Sequence, residues 1–251
     1  MKFSIVTCTY NSEKYVQKNI DSVKNQTCQD FEHIFIDGFS TDGTIKIIEK
    51  YQKEFPEKVK IFQFEPKGIS DAMNKGIENA TGEYINHLHS DDIFFNSNIL
   101  EKIYNFIQKN NSPDWVYGKA NFIDESKNLK KIIPHRRIYH KARFWLLLLT
   151  DYIPHQAVFL KKKIFEKYRM FDIQYKNHMD YEMWLRLSKK KVSSVFIDEI
   201  ICNFSLRDDS QSSIGRQNDE YKKIFTKYIR NKALLSLLNF IAVLNKKRNF
   251  F

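Results

Sequence analysis

Apolar and polar positions alternate in blocks along the first 92 residues. Short apolar runs at 3–7, 31–36, 59–64 and 84–88 are bounded by polar or Gly-containing segments and read as strands. Between them, 13–25, 44–51 and 69–79 carry apolar residues at helical spacing, as Tyr15, Val16, Ile20 and Val23 do in the first. Strand and helix in regular alternation predict an α/β chain with a mostly parallel central sheet flanked by helices. Ligands of such sheets bind beyond the carboxyl ends of the strands. The polar stretches 9–11, 37–43, 65–68 and 89–92 each follow a strand, so four loops are expected along one edge.

Beyond Asp92 the pattern is less regular. A helix is expected at 100–109, a strand at 115–122, a loop or hairpin at 124–140 and a strand at 157–160. A helix at 179–188 turns Met183, Trp184 and Leu187 inward, a strand follows at 192–201, and 206–215 is a polar loop. No internal repeat or low-complexity linker interrupts the chain. The reading is one α/β domain over 1–215, in halves 1–92 and 93–215, and a helical extension over 216–251.

Composition narrows the class. Of 251 residues 42% are apolar, with 21 Phe and 13 Tyr, while 7 Gly and 5 Pro argue against a disordered or fibrous chain. A net charge of +11 suits an anionic partner: a nucleotide phosphate, a nucleic acid or a membrane surface. Cys8, Cys28 and Cys202 are widely spaced without a CxxC pair, which favours a reducing, cytoplasmic compartment. The N-terminus lacks a secretory pattern, and no run of about 20 apolar residues is long enough to span a bilayer. The apolar run 233–244 lies between Lys227, Arg230, Lys232 and Lys246, Lys247, Arg248. It reads either as a helix packed on the domain or as a peripheral helix on the anionic inner face of the membrane.

Candidate chemistry lies in the loops. Asp91 and Asp92 end the fourth strand, where adjacent carboxylates need a cation or strong donors; a capped turn is the simpler alternative. Asp37 follows the second strand, and its carboxylate suits a base N–H or a nucleotide hydroxyl. Asp42 precedes a helix start, where N-capping is the default. Tyr10 can stack on a base. Lys67 stands before a helix N-terminus, which favours phosphate. The run 68–74 lacks the GxxxxGK[ST] pattern, so a P-loop is not expected.

The stretches SIVTCTYNSEKYV, IDGFSTDGT, KGISDAMNKGIENATGEYINHLHSDD and DYEMWLRL, in this order, resemble the family 2 glycosyltransferases, most closely those of bacterial capsule, O-antigen and colanic-acid assembly. The resemblance covers roughly residues 3–205 and implies a GT-A fold. It makes 1–92 the nucleotide-sugar-binding half and 93–215 the acceptor-binding half. It also implies a divalent cation, Mn²⁺ or Mg²⁺, and inversion at the anomeric carbon. Thr9, Tyr10, Asn11, Glu13, Asp37, Lys67, Asp71, Asn74, Ser90 and Asp91 become nucleotide and donor contacts. Asp91 is the expected cation ligand, with Asp92 beside it and His89 where the family's first acid stands. Asp180 becomes the base on the acceptor hydroxyl, with Glu182 as the alternative. His155 and Gln156 are expected at the acceptor or the donor sugar. Arg207 and the 210–213 loop are expected to close over the diphosphate. The sequence departs from the family at Gly38, His89 and Met179, each standing where an acid is usual.

The implied partners are a nucleotide sugar, UDP-linked in preference to GDP-linked, and a saccharide, lipid-linked acceptor. Two other readings stay open: a nucleotide-sugar-binding protein without catalysis, and a basic nucleic-acid-binding module. No helix-turn-helix, zinc or RNP-type pattern accompanies the charge, so no nucleic acid is the expectation.

Overall fold

The uninterrupted apolar runs of the first half become strands buried on both faces, as central parallel strands require. In the computed structural model, which describes residues 2–124, 126–134, 142–206 and 217–247, every residue of β1 (Phe3–Thr9) and β2 (Phe31–Asp37) is buried. They alternate with α1 (Glu13–Lys24), α2 (Thr44–Glu54), β3 (Val59–Gln63), α3 (Ile69–Asn79) and β4 (Tyr84–His87). β5 (Ile93–Phe94), α4 (Ile99–Lys109), β6 (Trp115–Ile123), β7 (Leu129–Ile133) and α5 (Phe144–Leu147) follow. A 3-10 turn at His155–Ala157 leads into β8 (Val158–Lys161), α6 (Lys162–Tyr168), α7 (Met179–Lys189), β9 (Ser194–Ser205), α8 (Gln217–Tyr228) and α9 (Lys232–Lys247).

The strands form one sheet in the order β3-β2-β1-β4-β8-β6-β9-β5, with β7 hairpinned onto β6. β1 to β4 are parallel, and β8 runs antiparallel to both β4 and β6. The pleat divides the core. Phe35 faces Val16, Ile20 and Ile48 of α1 and α2, whereas Val6, Ile34 and Ile36 face Met73 and Ile77 of α3. α7 and α8 share that second face, with the rings of Trp184 and Trp115 stacked at 5.1 Å.

Buried charge inside this sheet is paired at Glu32. The fully buried Glu32 accepts from Ser4 Oγ (2.6 Å) and Lys60 Nζ (2.7 Å), donors that outweigh burial and hold its pKa at about 2. The sequence expectation for 124–140 resolves in part into the β7 strand. β9 runs past the expected end at 201 because its ladder with β6 continues to Ser205. β5 is only two residues long, too short for a periodic signal, and forms because Ile93 and Phe94 pair with Asn203 and Cys202. α8 and α9 pack on the same core as α7 through Ile224, Phe225, Leu234, Leu235 and Leu238, so both helices are built into the domain.

Candidate active site

The loops after β1 and β2 are tied to each other by side chains. Asp37 is completely buried and accepts from Thr9 Oγ1 (2.9 Å), Ser40 N (2.8 Å), Ser40 Oγ (2.6 Å) and Gln63 Nε2 (3.3 Å). Asn11 bridges to the same loop: its N–H donates to Ser40 Oγ and its Oδ1 accepts from Thr41 N, both at 2.9 Å. Glu13 N donates to Asp42 Oδ2 (3.1 Å) while Gly43 N donates to Glu13 Oε2 (3.0 Å). Asp42, one position before the Gly43 N-cap, also accepts from the N–H of Thr44 (3.0 Å), the first residue of α2. Thr9, Glu13 and Asp37 are thus the frame of the loops. Tyr10, 62% exposed, and Phe39, 46% exposed, are the aromatic faces the frame presents outward. Gly38 explains itself in this setting, because a Cβ there would stand 3.1 Å from Tyr10 Cδ2.

Lys67 is exposed in the turn before α3, and Asp71 lies in that helix's first turn. Asn74 is engaged within the protein: its Oδ1 accepts from Phe171 N and its Nδ2 donates to Phe171 O, both at 2.9 Å, so the amide anchors the chain leading to α7. Ser70 Oγ donates to Tyr175 O (2.6 Å) in the same anchor.

The β4 loop separates the two adjacent acids. Asn19 Nδ2 donates to the carbonyls of His89 (2.9 Å) and Asp92 (3.0 Å) and fixes the loop. Ser90 Oγ donates to Ser12 Oγ (3.0 Å). Asp91 is partly exposed, and its carbonyl accepts from Ser205 Oγ (2.7 Å). Asp92 is 1% exposed and its Oδ1 accepts from Ser205 N (3.1 Å). Its carboxylate therefore helps to close the end of β9. His89 Nδ1 has no hydrogen-bond partner among the described residues, and burial, then the neighbouring His155 and His87, hold its pKa well below the usual range. The ring is therefore neutral at pH 7, the form that binds metals.

No group of three or more His, Cys, Asp or Glu capable of holding a metal occurs among the described residues. Asp91 with the neutral, unpartnered His89 fits a cation held mainly by donor phosphates and water, not a protein cage.

The second centre forms around Asp180 in the first turn of α7. Its Oδ2 lies 2.9 Å from His155 Nδ1, and its Oδ1 accepts from Tyr181 N (2.8 Å). Burial raises the Asp180 pKa, but the His155 hydrogen bond and charge outweigh it, and the net direction is down. The His155 ring meets His89 edge-on at 4.8 Å, so the β4 loop and the Asp180 centre touch. Asn86 of β4 sets this contact by donating to the carbonyls of Gln156 (2.9 Å) and Val158 (2.8 Å). A pocket of about 200 Å³ opens beside Asp180, lined among others by Asp151, His155, Gln156, Lys131 and Tyr221.

Glu182 is not part of that pocket. It is fully buried, and its carboxylate takes Arg186 (3.0 Å), Lys227 (2.7 Å) and the Tyr228 hydroxyl (2.6 Å). The alternative base is therefore an ion-pair hub between α7 and α8. Sequence reasoning missed Asp151, Glu220 and Tyr221. Asp151 carried a usable signal, an acid at the edge of the buried Tyr152-Ile153 run just before His155. The two on α8 carried none, because only the packing of α8 brings them to α7. Arg207 and 210–213 lie outside the described residues.

A nine-stranded sheet with donor loops at its parallel edge and an acid–histidine pair behind them is the GT-A type of glycosyltransferase. The family model "Glycosyl transferase family 2" matches residues 4–169, and the chain belongs to that family. A PGL/p-HBAD biosynthesis glycosyltransferase of Mycobacterium tuberculosis is 31% identical over 186 residues, 73% of this chain and 68% of that protein. An uncharacterized glycosyltransferase of Methanocaldococcus jannaschii is 28% identical over 218 residues, 85% and 74% of the two chains. Among solved structures, S. aureus TarS 1-349 with UDP-GlcNAc superposes with a TM-score of 0.72 at 20% identity, covering 95% of this chain and 66% of that one. The mannosyltransferase PcManGT from Pyrobaculum calidifontis, in complex with GDP-Man and Mn²⁺, gives 0.68 at 16% identity, covering 96% and 69%.

Proposed function

We propose that this protein is an inverting, metal-dependent glycosyltransferase. It moves a sugar from a nucleotide-sugar donor, a UDP-sugar in preference to a GDP-sugar, to a saccharide acceptor carried on a lipid, in bacterial surface-polysaccharide assembly. The observation that carries the reading is the 2.9 Å contact of Asp180 with His155, whose ring touches the donor-side His89. It sets a base at the junction of the donor loops and a pocket.

Tyr10 and Asn11 hold the nucleoside on the frame built around Asp37 and Glu13. The ionised Asp180 takes the proton of the acceptor hydroxyl as its oxygen bonds to the anomeric carbon. The bond to the diphosphate breaks on the opposite face, and the nucleoside diphosphate leaves with the electron pair, which inverts the centre. Asp91 and His89 are the residues that would hold a divalent cation, which would supply charge neutralisation for the leaving diphosphate. His155 keeps Asp180 oriented and ionised.

A lipid carrier accords with the exposed apolar residues on α5 and α9. Trp145 is 66% exposed, Leu237 53% and Phe240 60%, on helices that otherwise pack on the core. No helix among the described residues is long and apolar enough to cross a membrane, and the contact we propose is a peripheral one at an anionic surface. The test is a thermal-shift series with UDP and GDP, with and without Mn²⁺, followed by transfer from the matching nucleotide sugars to lipid-diphosphate saccharides. A nucleoside diphosphate should raise the melting temperature and the cation should enlarge the rise. No shift with either nucleotide refutes the proposal.

A further inference from the structure

The pocket beside Asp180 has two chemically different walls. Phe122 and Phe204 form an aromatic wall with ring centroids 4.7 Å apart, and Tyr221 continues it. The polar wall contains three buried atoms without a hydrogen-bond partner among the described residues: Asp151 Oδ1, His155 Nε2 and Gln156 Nε2. Buried polar atoms are almost always paired, so three orphans around one open volume mark a place where a ligand supplies the partners. About 200 Å³ accommodates one sugar ring. A pyranose has the matching character, hydroxyls along its edge and an apolar C–H face. We propose that Asp151 is an acceptor-recognition residue, its carboxyl and the Gln156 amide binding the hydroxyls next to the one that meets Asp180.

The inference rests on the transferase reading and adds to it the residue that selects the acceptor. Asp151 is held in place by its neighbours: Trp184 Nε1 donates to Ile153 O (3.1 Å), and Tyr181 OH donates to Leu147 O (2.7 Å). Burial and then the nearby Asp180 push the Asp151 pKa well above the carboxylate range, against the pull of Ile153 N–H and Lys131. Of the two acids, Asp151 is therefore the one whose surroundings favour the protonated form, and Asp180 the one favoured ionised. As a neutral acid it both donates to and accepts from a sugar hydroxyl, a pairing that Asn reproduces and Leu does not.

Two variants, Asp151→Asn and Asp151→Leu, test the assignment. Binding of methyl glycosides of glucose, galactose, mannose and N-acetylglucosamine is followed by saturation-transfer NMR in the presence of UDP and Mn²⁺. For the glycoside that the wild type binds, Asp151→Leu should weaken binding at least about tenfold, while Asp151→Asn stays within a few fold. The UDP-induced rise in melting temperature should be unchanged in both. Asp151→Asn keeps an acceptor for the Ile153 N–H and should leave the melting temperature near wild type; a clear fall in that variant marks a structural role and overturns the proposal. Equal glycoside binding by Asp151→Leu overturns it too, as does a wild type that binds UDP but none of the four glycosides. A wild type that binds glycosides but shifts with no nucleotide instead defeats the transferase reading.

Discussion

Glu220 Oε2 stands 3.2 Å from His178 Nδ1, and the Glu220 carboxylate also accepts the backbone N–H groups of Lys176, Asn177 and His178 at 2.8–3.1 Å. One side chain of α8 thereby caps the turn that carries Asp180. Burial opposes the charge on Glu220, but these donors win and lower its pKa from 4.5 to about 2. A depressed carboxylate contributes stability that is complete above 4.5 and is lost as pH falls through about 2. At about 1.4 kcal/mol per pH unit, the difference corresponds to on the order of 3 kcal/mol. Glu220→Gln should lower the melting temperature at pH 7 and flatten its fall between pH 4.5 and 2. Unchanged acid titration of stability in the variant argues against the cap.

Asp180→Asn should reduce kcat by about 100-fold to 10,000-fold, the range expected for loss of a general base. The nucleotide-induced thermal shift should persist, because Asp180 meets the β4 loop through His155. A variant that keeps wild-type turnover would remove Asp180 from the mechanism.

Glu182 should behave in the opposite way. It is buried against Arg186 and Lys227, and Glu182→Gln leaves those cations without their partner. The expected loss is about 3 kcal/mol in urea unfolding, since breaking a buried pair is costly. Turnover measured well below the melting temperature should change little. A large kcat effect with no change in stability would restore Glu182 as a base.

The adjacent acids should separate by phenotype. Asp91→Ala should abolish the Mn²⁺-dependent part of the UDP thermal shift while leaving the apo melting temperature near wild type. Asp92→Ala removes the acceptor for Ser205 N and should cost about 1–3 kcal/mol of stability. Exchanged phenotypes would reverse the two assignments.

Much of this protein is legible in its sequence for a local reason. Strand and helix periodicities are properties of short windows, so β1 to β4, α1 to α3 and the edge bearing Asp37 and Asp91 follow from pattern alone. Motif order added Asp180 and His155. Tertiary structure decided which acids are available for chemistry. Asp91 and Asp92 are neighbours in the chain, yet only Asp92 is folded under β9. Asp180 and Glu182 share one helical turn, yet they point to a pocket and to α8 respectively. Asp151 and Glu220 gain their meaning only from partners brought close by packing. Whether a carboxylate is framework, base or ligand depends on the donors and charges around it in space, and linear order does not encode those distances.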